Sequence, residues 1–187
     1  MAENLNYKLR WLADKGSDWC YNNNESNCDT YGRLYDWKAV MHGESSSNIN
    51  PSGVQGVCPD GWHVPSDKEW KELEMELGMS QSEADNTGWR GTNEGSKLAG
   101  NASLWNDGDL ENNSEFGTSG FTALPGGGCN IGGSFCYFRN YGGWWWSSTE
   151  NSSTDAWYRS LNYTKSKLAR DSPDEEFGFS VRCVRDD

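Results

Sequence analysis

Pro65-Ser66-Asp67-Lys68-Glu69-Trp70-Lys71-Glu72-Leu73-Glu74-Met75-Glu76-Leu77-Gly78 carries the clearest helix start in the chain. Ser66 is placed to cap the first turn. Glu69, three residues on, can reach back to the Ser66 amide, which is the reciprocal pairing of a capping box. Trp70, Leu73 and Leu77 recur at helical spacing and form the expected buried stripe, with Gly78 as terminator. Upstream, Leu34, Trp37 and Met41 stand at i, i+3 and i+7 within Tyr31 to Met41, predicting a second helix that ends at His42-Gly43. Far downstream the pattern changes. Trp144-Trp145-Trp146, Ala156 to Tyr163, Lys167 to Arg170 and Gly178 to Val184 are short β-favourable runs split by polar turns. Helices first and strands last predict an α+β fold: two helices plus small antiparallel sheets, joined by long Gly/Asn-rich loops.

The rest of the chain fits around that frame. The first thirty residues read as an extended start followed by an Asn-rich polar loop. Residues 79–143, mostly Gly, Asn, Ser and acidic types, are too long for a bare connection and should carry a core or a function of their own. A length of 187 residues with no repeat or linker predicts one domain over 1–187. Apolar residues make up only 34%, yet aromatics reach 13% with 11 Trp, so the core is built from few, large side chains and disorder is excluded.

Formal charge is −12, from 28 acidic and 16 basic residues, which is the wrong sign for a nucleic-acid backbone or an anionic membrane. No apolar run is long enough to span a bilayer, so direct membrane insertion is not expected. Met1-Ala2-Glu3-Asn4 lacks the basic start and apolar stretch of a signal peptide. Six cysteines, with close pairs at 20/28 and 129/136, suit disulfides in an oxidising compartment. Six thiols allow many pairings and spacing alone does not choose; the set expected here is Cys20–Cys28, Cys129–Cys136 and the long-range Cys58–Cys183. Zinc would need closer cysteines or clustered histidines, and only His42 and His63 exist.

Several segments, in order, carry a resemblance. They are Met1 to Tyr7, Tyr31-Gly32-Arg33-Leu34-Tyr35-Asp36-Trp37, Gly56 to Ser66, Gly120-Phe121-Thr122-Ala123-Leu124-Pro125-Gly126-Gly127, Trp145-Trp146-Ser147-Ser148-Thr149-Glu150 and Gly178-Phe179-Ser180-Val181-Arg182-Cys183-Val184. The chain resembles the Fibrobacter succinogenes major paralogous domain over nearly its whole length. That family is similar to the C-type lectin fold and to the formylglycine-generating-enzyme fold. The resemblance implies a disulfide-stabilised C-type-lectin-like domain, found in exported and surface proteins of bacteria and their phages.

Residues 151–177 carry a second resemblance, to the variable region of proteins diversified by retroelements, in which Asn codons are randomised. A fixed frame (Ala156, Arg159, Leu161, Leu168, Arg170) is interrupted there by positions that accept many types. Asp155, Tyr158, Ser160, Thr164, Ala169, Asp171, Ser172, Pro173, Asp174 and Phe177 are reachable from Asn codons. Lys165, Lys167, Glu175 and Glu176 are not, and depart from the pattern. The implied ligand-binding set is Asp155, Trp157, Tyr158, Ser160, Asn162, Tyr163, Thr164, Lys165, Lys167, Ala169, Asp171, Asp174 and Phe177. Since strand residues alternate, Trp157 and Tyr158 point to opposite faces, with Tyr158 expected on the binding side. The same rule makes two of Trp144 to Trp146 structural and one semi-exposed.

The lectin resemblance also raises Ca²⁺. Trp105-Asn106-Asp107 matches a tripeptide such lectins use, and Asp109 and Glu111 follow, an oxygen-rich run suited to a hard cation. It lacks the partner tripeptide and EF-hand spacing, and a solvated acidic loop is the favoured reading. No cofactor is expected. Catalysis has no motif: there is no Gly-framed nucleophile with an ordered His and Asp. His63, just before a helix cap, reads as structural. The expectation is a non-enzymatic extracellular or surface module for a protein or glycan ligand. The alternatives are a structural surface or filament component and a Ca²⁺-dependent glycan lectin.

Overall fold

The computed structural model describes residues 3–9, 16–133 and 136–186. The N-terminal half holds β1 (Asp18–Trp19), α1 (Glu25–Tyr31), β2 (Leu34–Tyr35), α2 (Trp37–Met41), β3 (Trp62–His63) and α3 (Asp67–Glu76). Then come α4 (Gln81–Ala84), β4 (Gly88–Arg90), α5 (Glu94–Leu98), β5 (Gly128–Cys129) and β6 (Cys136–Tyr137). The last elements are β7 (Gly142–Glu150), β8 (Ala156–Asn162), β9 (Lys165–Asp171) and β10 (Val184–Arg185). This is a disulfide-stabilised α+β fold. The main sheet is antiparallel in the order β4-β9-β8-β7, and three two-stranded ladders (β1-β2, β10-β3, β5-β6) surround it.

The capping box forms as expected. Glu69 N–H donates to Ser66 Oγ at 3.2 Å and Ser66 N–H to Glu69 Oε2 at 2.9 Å. Helix α3 ends at Glu76, and Gly78 follows in the left-handed region at φ 117°. The buried stripe differs from expectation. Trp70 is buried but Leu73 and Leu77 are only half-buried, and the most enclosed positions of α3 include Asp67 and Glu74.

The helix expected over Tyr31 to Met41 is instead two helices separated by a strand. Gly32 breaks it at φ 80°, where a Cβ would lie 2.6 Å from Asn4 Cβ and 2.9 Å from the Leu5 carbonyl oxygen. The N-terminal segment therefore passes too close for any other residue, and Arg33 N–H donates to that Leu5 carbonyl. Asp36 restarts the helix by accepting from Ala39 N–H at 2.7 Å. Within the Asn-rich loop, Asn24 caps α1 by accepting from Ser26 N–H at 3.1 Å, so part of the expected loop is helical.

All three expected disulfides are present: Cys20–Cys28, Cys58–Cys183 and Cys129–Cys136. The stretch from Gly178 to Val184 is not one strand. It threads the small sheets through single bridges, Gly178 to Cys129, Phe179 to Tyr35 and Ser180 to Trp145, before β10 pairs with β3. Residues 79–143 do carry a core: Leu98, Ala99, Trp105, Leu110 and Ala123 pack with Trp70 and Trp145. The triple tryptophan behaves as alternation requires. Trp145 is buried in that cluster, Trp146 in a second cluster with Tyr35, Val40 and Phe179, and Trp144 is half-buried. Burying one such ring removes roughly 200 Å² of surface from water, on the order of 5 kcal/mol.

Between α3 and the sheet lies a buried ionic lattice. Arg90 donates twice to Glu74 (2.8 and 2.9 Å) and Arg170 twice to Asp67 (both 2.8 Å). Arg159 joins the two carboxylates, donating to Asp67 at 2.8 Å through Nη1 and to Glu74 through Nε. Burial alone would raise the Asp67 carboxyl, but hydrogen bonds from Arg170 and the charge of Arg159 outweigh it and hold it well below the usual carboxylate range. Strands β4, β8 and β9 are thereby bolted to one helix.

Candidate functional site

The alternation of β8 and β9 sorts the C-terminal segment into two faces. Arg159 pairs across the sheet with Trp145 and Arg170, on the side packed under α3. The frame residues Ala156, Arg159, Leu161, Leu168 and Arg170 are all buried. On the opposite face one row crosses the entire sheet. Trp144 pairs with Ser160, Ser160 with Ala169, and Ala169 with Trp89. Two small side chains lie between two tryptophans, making a trough whose walls stand three strand spacings apart, about 14 Å.

The trough has distinct ends. The neighbouring row is Trp146, Tyr158 and Asp171, and on the other side Asn162 pairs with Lys165. Lys167, Ala169 and Asp171 alternate along β9 and so share the face, with Lys167 and Asp171 exposed. Lys165 Nζ sits 5.6 Å from the centre of the Trp89 ring, a cation over an aromatic wall. One end is therefore basic. The other is acidic: Asp155 bridges Asp174, and Glu175 has its carboxyl pushed up to about 7 by burial and by Glu150, Asp155 and Asp174. Burial first, then the Asp171 charge, pushes the Tyr158 hydroxyl up to about 12, so it remains a neutral donor.

Of the sequence-derived site residues, Tyr158, Ser160, Asn162, Lys165, Lys167, Ala169 and Asp171 are brought together on this face. Ser160 and Ala169 are buried beneath their neighbours and act as a floor. Phe177 stacks on Phe179 at 6.0 Å beside Tyr158, and Tyr163 meets Tyr141 edge-on at 5.3 Å. Thr164 is exposed at the β8–β9 turn and donates to Asn162 Oδ1. Asp155 and Asp174 lie at the acidic end. Trp157 is separated from the set: its ring lies against the Arg170 guanidinium, 3.5 Å from ring centre to guanidinium carbon.

Three exposed aromatic residues escaped the sequence reading. Trp89 is 39% exposed, and Phe138 and Tyr141, on the turn between β6 and β7, are 54% and 46% exposed. The available signal was the Gly-bounded turn Arg139-Asn140-Tyr141-Gly142, where Asn tolerates the left-handed conformation that it adopts at φ 68°. Among the calcium candidates, Asp107 and Asp109 are exposed and Glu111 half-buried, and Asp107 accepts from Asn112 Nδ2. Among the described residues these three do not bring ligating oxygens within 4.8 Å of one another. His63 is structural in its contacts: Nε2 lies 2.8 Å from Glu69 Oε1 and Nδ1 2.6 Å from Asp186 Oδ1.

No helix among the described residues is long and apolar enough to cross a membrane. Neither a curated protein nor a solved structure matches the chain. The family model of the Fibrobacter succinogenes major domain matches residues 1–185, and the chain belongs to that family.

Proposed function

We propose that this chain is a non-catalytic recognition module displayed outside the cell, whose ligand seats on the open face of the β4-β9-β8-β7 sheet. One observation carries the reading. Within 151–177 Arg159, Leu161, Leu168 and Arg170 are buried on the side of α3, whereas Tyr158, Ser160, Ala169 and Asp171, all of types that randomised Asn codons supply, fall on the other face, where the frame residue Ala156 packs beside Trp146. Such a division lets one face change while the other holds the fold, which is what a diversified binding protein needs. The C-type-lectin-like reading belongs with this proposal and draws on the disulfide-tied C-terminus and long loops. An oxidising location is favoured by the pairing of all six cysteines.

The mechanism is reversible recognition. Trp144 and Trp89 offer apolar walls, Tyr158 and Asn162 adaptable hydrogen bonds at low entropic cost, and Lys165 and Asp171 charge selection. The test is binding of the labelled, oxidised chain to a panel of intact bacterial cells. Asn162→Ala, Lys165→Ala and Ser160→Arg should each reduce retention while the melting temperature of Lys165→Ala, an exposed position, stays unchanged. Retention equal to the parent in all three variants would refute this face as the site.

A further inference from the structure

A continuous band of rings runs beyond the trough. Tyr163 meets Tyr141, Tyr141 meets Phe138, Phe138 meets Tyr137 and Trp144, and Trp144 stacks on Phe179, which touches Tyr158 and Phe177. Its outer part, Phe138 and Tyr141, lies outside residues 151–177 and is set on the turn between β6 and β7. Phe138 occupies the left-handed region at φ 63°, a conformation that costs a bulky residue energy and persists only where surroundings enforce it. They do enforce it. Tyr141 and Gly142 N–H groups both donate to the Phe138 carbonyl at 3.0 Å. Asn140 is held by bonds to Pro125, Asn106 and Leu104. Tyr163 N–H donates to the Tyr141 carbonyl at 2.9 Å. Two large rings, packed on their neighbours along one side, are thus held about half exposed by a fixed backbone.

The angles between rings decide what they can grip. Tyr137 and Phe138 stand at 83°, Phe138 and Tyr141 at 63°, Tyr141 and Tyr163 at 87°. No two outer rings share a plane, so they offer edges and knobs rather than the flat platform on which a sugar face stacks. Knobs of this kind anchor by entering pockets of a partner surface, where rigid aromatic side chains supply most of the binding energy. The anchors stand beside negative charge: Asn106 N–H donates to the Asn140 carbonyl and Leu110 N–H to the Tyr163 carbonyl, which sets the exposed Asp107 and Asp109 next to the turn, while Lys165 reaches over Trp89. The only cation of this turn, Arg139, is directed away, over Tyr21 and Tyr31.

Resting on the recognition reading above, we infer that the ligand is a folded protein, anchored by Phe138 and Tyr141 in an apolar pocket with basic residues at its rim, while the trough supplies selectivity. The two anchors would then be constant parts of a surface whose remainder varies.

The experiment pans a naive single-domain antibody library against the full, oxidised chain, in parallel with binding assays using maltose, cellobiose and chitobiose. Phe138→Gly removes the ring while suiting the positive φ, so it retains the fold; Tyr141→Ala is an exposed change. Expected are mutually competing binders that weaken at least about tenfold in either variant, the scale of a hot-spot loss, and that weaken further as salt rises. Binders unaffected by these variants but blocked by Ser160→Arg or Ala169→Arg would overturn this inference and leave the proposed face intact. Binders indifferent to both sets would overturn both. Disaccharide binding lost in Phe138→Gly would also overturn it, by assigning the anchors to a glycan.

Discussion

Replacing Arg159 by Met tests whether the ionic lattice is what holds α3 to the sheet. Arg159 is fully buried and, among the described residues, is the one group that touches both carboxylates. Met keeps much of the aliphatic stem and removes the guanidinium. Breaking a buried pair costs about 3–5 kcal/mol, because a charge is left without its partner. Here each carboxylate retains a two-pronged partner, Glu74 with Arg90 and Asp67 with Arg170. The loss therefore falls at the lower end, about 3 kcal/mol, which in a chain of this length lowers the melting temperature by about 6–12 °C. Glu74→Ala removes the only carboxylate that Arg90 contacts among the described residues, and its cost should be the larger, about 4–5 kcal/mol. The assay is guanidinium unfolding followed by tryptophan fluorescence, with disulfides intact. A loss below about 1 kcal/mol for Arg159→Met, or the reverse order of the two variants, would refute the argument.

His63 gives a pH dependence of opposite sense to the carboxylates. Burial would lower its pKa, but hydrogen bonds to Asp186 and Glu69 outweigh that and raise it above 6.5. Its stabilisation is thus fully present below the unfolded value and lost as pH rises through the folded one. Chemical unfolding from pH 6 to 9 should show this decline in the parent and not in His63→Gln. Asp67 works the other way: its folded pKa is depressed, so its contribution is present above about 3.9 and lost as pH falls through the folded value. The parent should therefore outlast Asp67→Asn at pH 4, read by circular dichroism. Opening Cys58–Cys183, which closes 125 residues, should cost about 5 kcal/mol, against roughly 2–3 for the eight-residue separation of Cys20–Cys28. Paired serine variants in urea measure both. Added Ca²⁺ or chelator should leave the melting curve unchanged, since Asp107, Asp109 and Glu111 do not converge.

How much of this was readable beforehand depended on whether the controlling interaction was local. The capping box needs only residues 66–69, and the alternation of Trp144 to Trp146 needs only a strand, so both were legible. The helix across Gly32 was not, because what breaks it is a contact with Asn4 and Leu5, nearly thirty residues earlier. Nothing within residues 65–78 marks Asp67 and Glu74 as buried, for the three arginines that enclose them come from β4, β8 and β9. At the site, period-two alternation could place Tyr158 and Ser160 together, but Trp89 joins them only through the pairing of β4 with β9. Phe138 was hidden for a different reason: a left-handed phenylalanine contradicts its own propensity, and it is maintained by the Tyr141 and Gly142 N–H groups on its carbonyl and by the anchoring of Asn140 to Leu104, Asn106 and Pro125.

That contrast bears on how a changeable face can exist at all. Any substitution on a sheet usually alters both stability and surface, because cross-strand neighbours pack with one another. In this chain most of the stabilising terms of β8 and β9 sit on the reverse side, in Leu161, Leu168 and the guanidinium–carboxylate lattice; on the open side Ala156 and Tyr158 pack against Trp146 and Phe179, and the floor beyond them is Ser160 and Ala169. Small floor residues bury little, so exchanging them forfeits little. Trp144 and Trp89, which do bury area, come from strands outside the segment 151–177. Around Ser160 and Ala169, stability and recognition thus draw on opposite faces of the same two strands, and replacing either residue should move affinity far more than it moves the unfolding free energy.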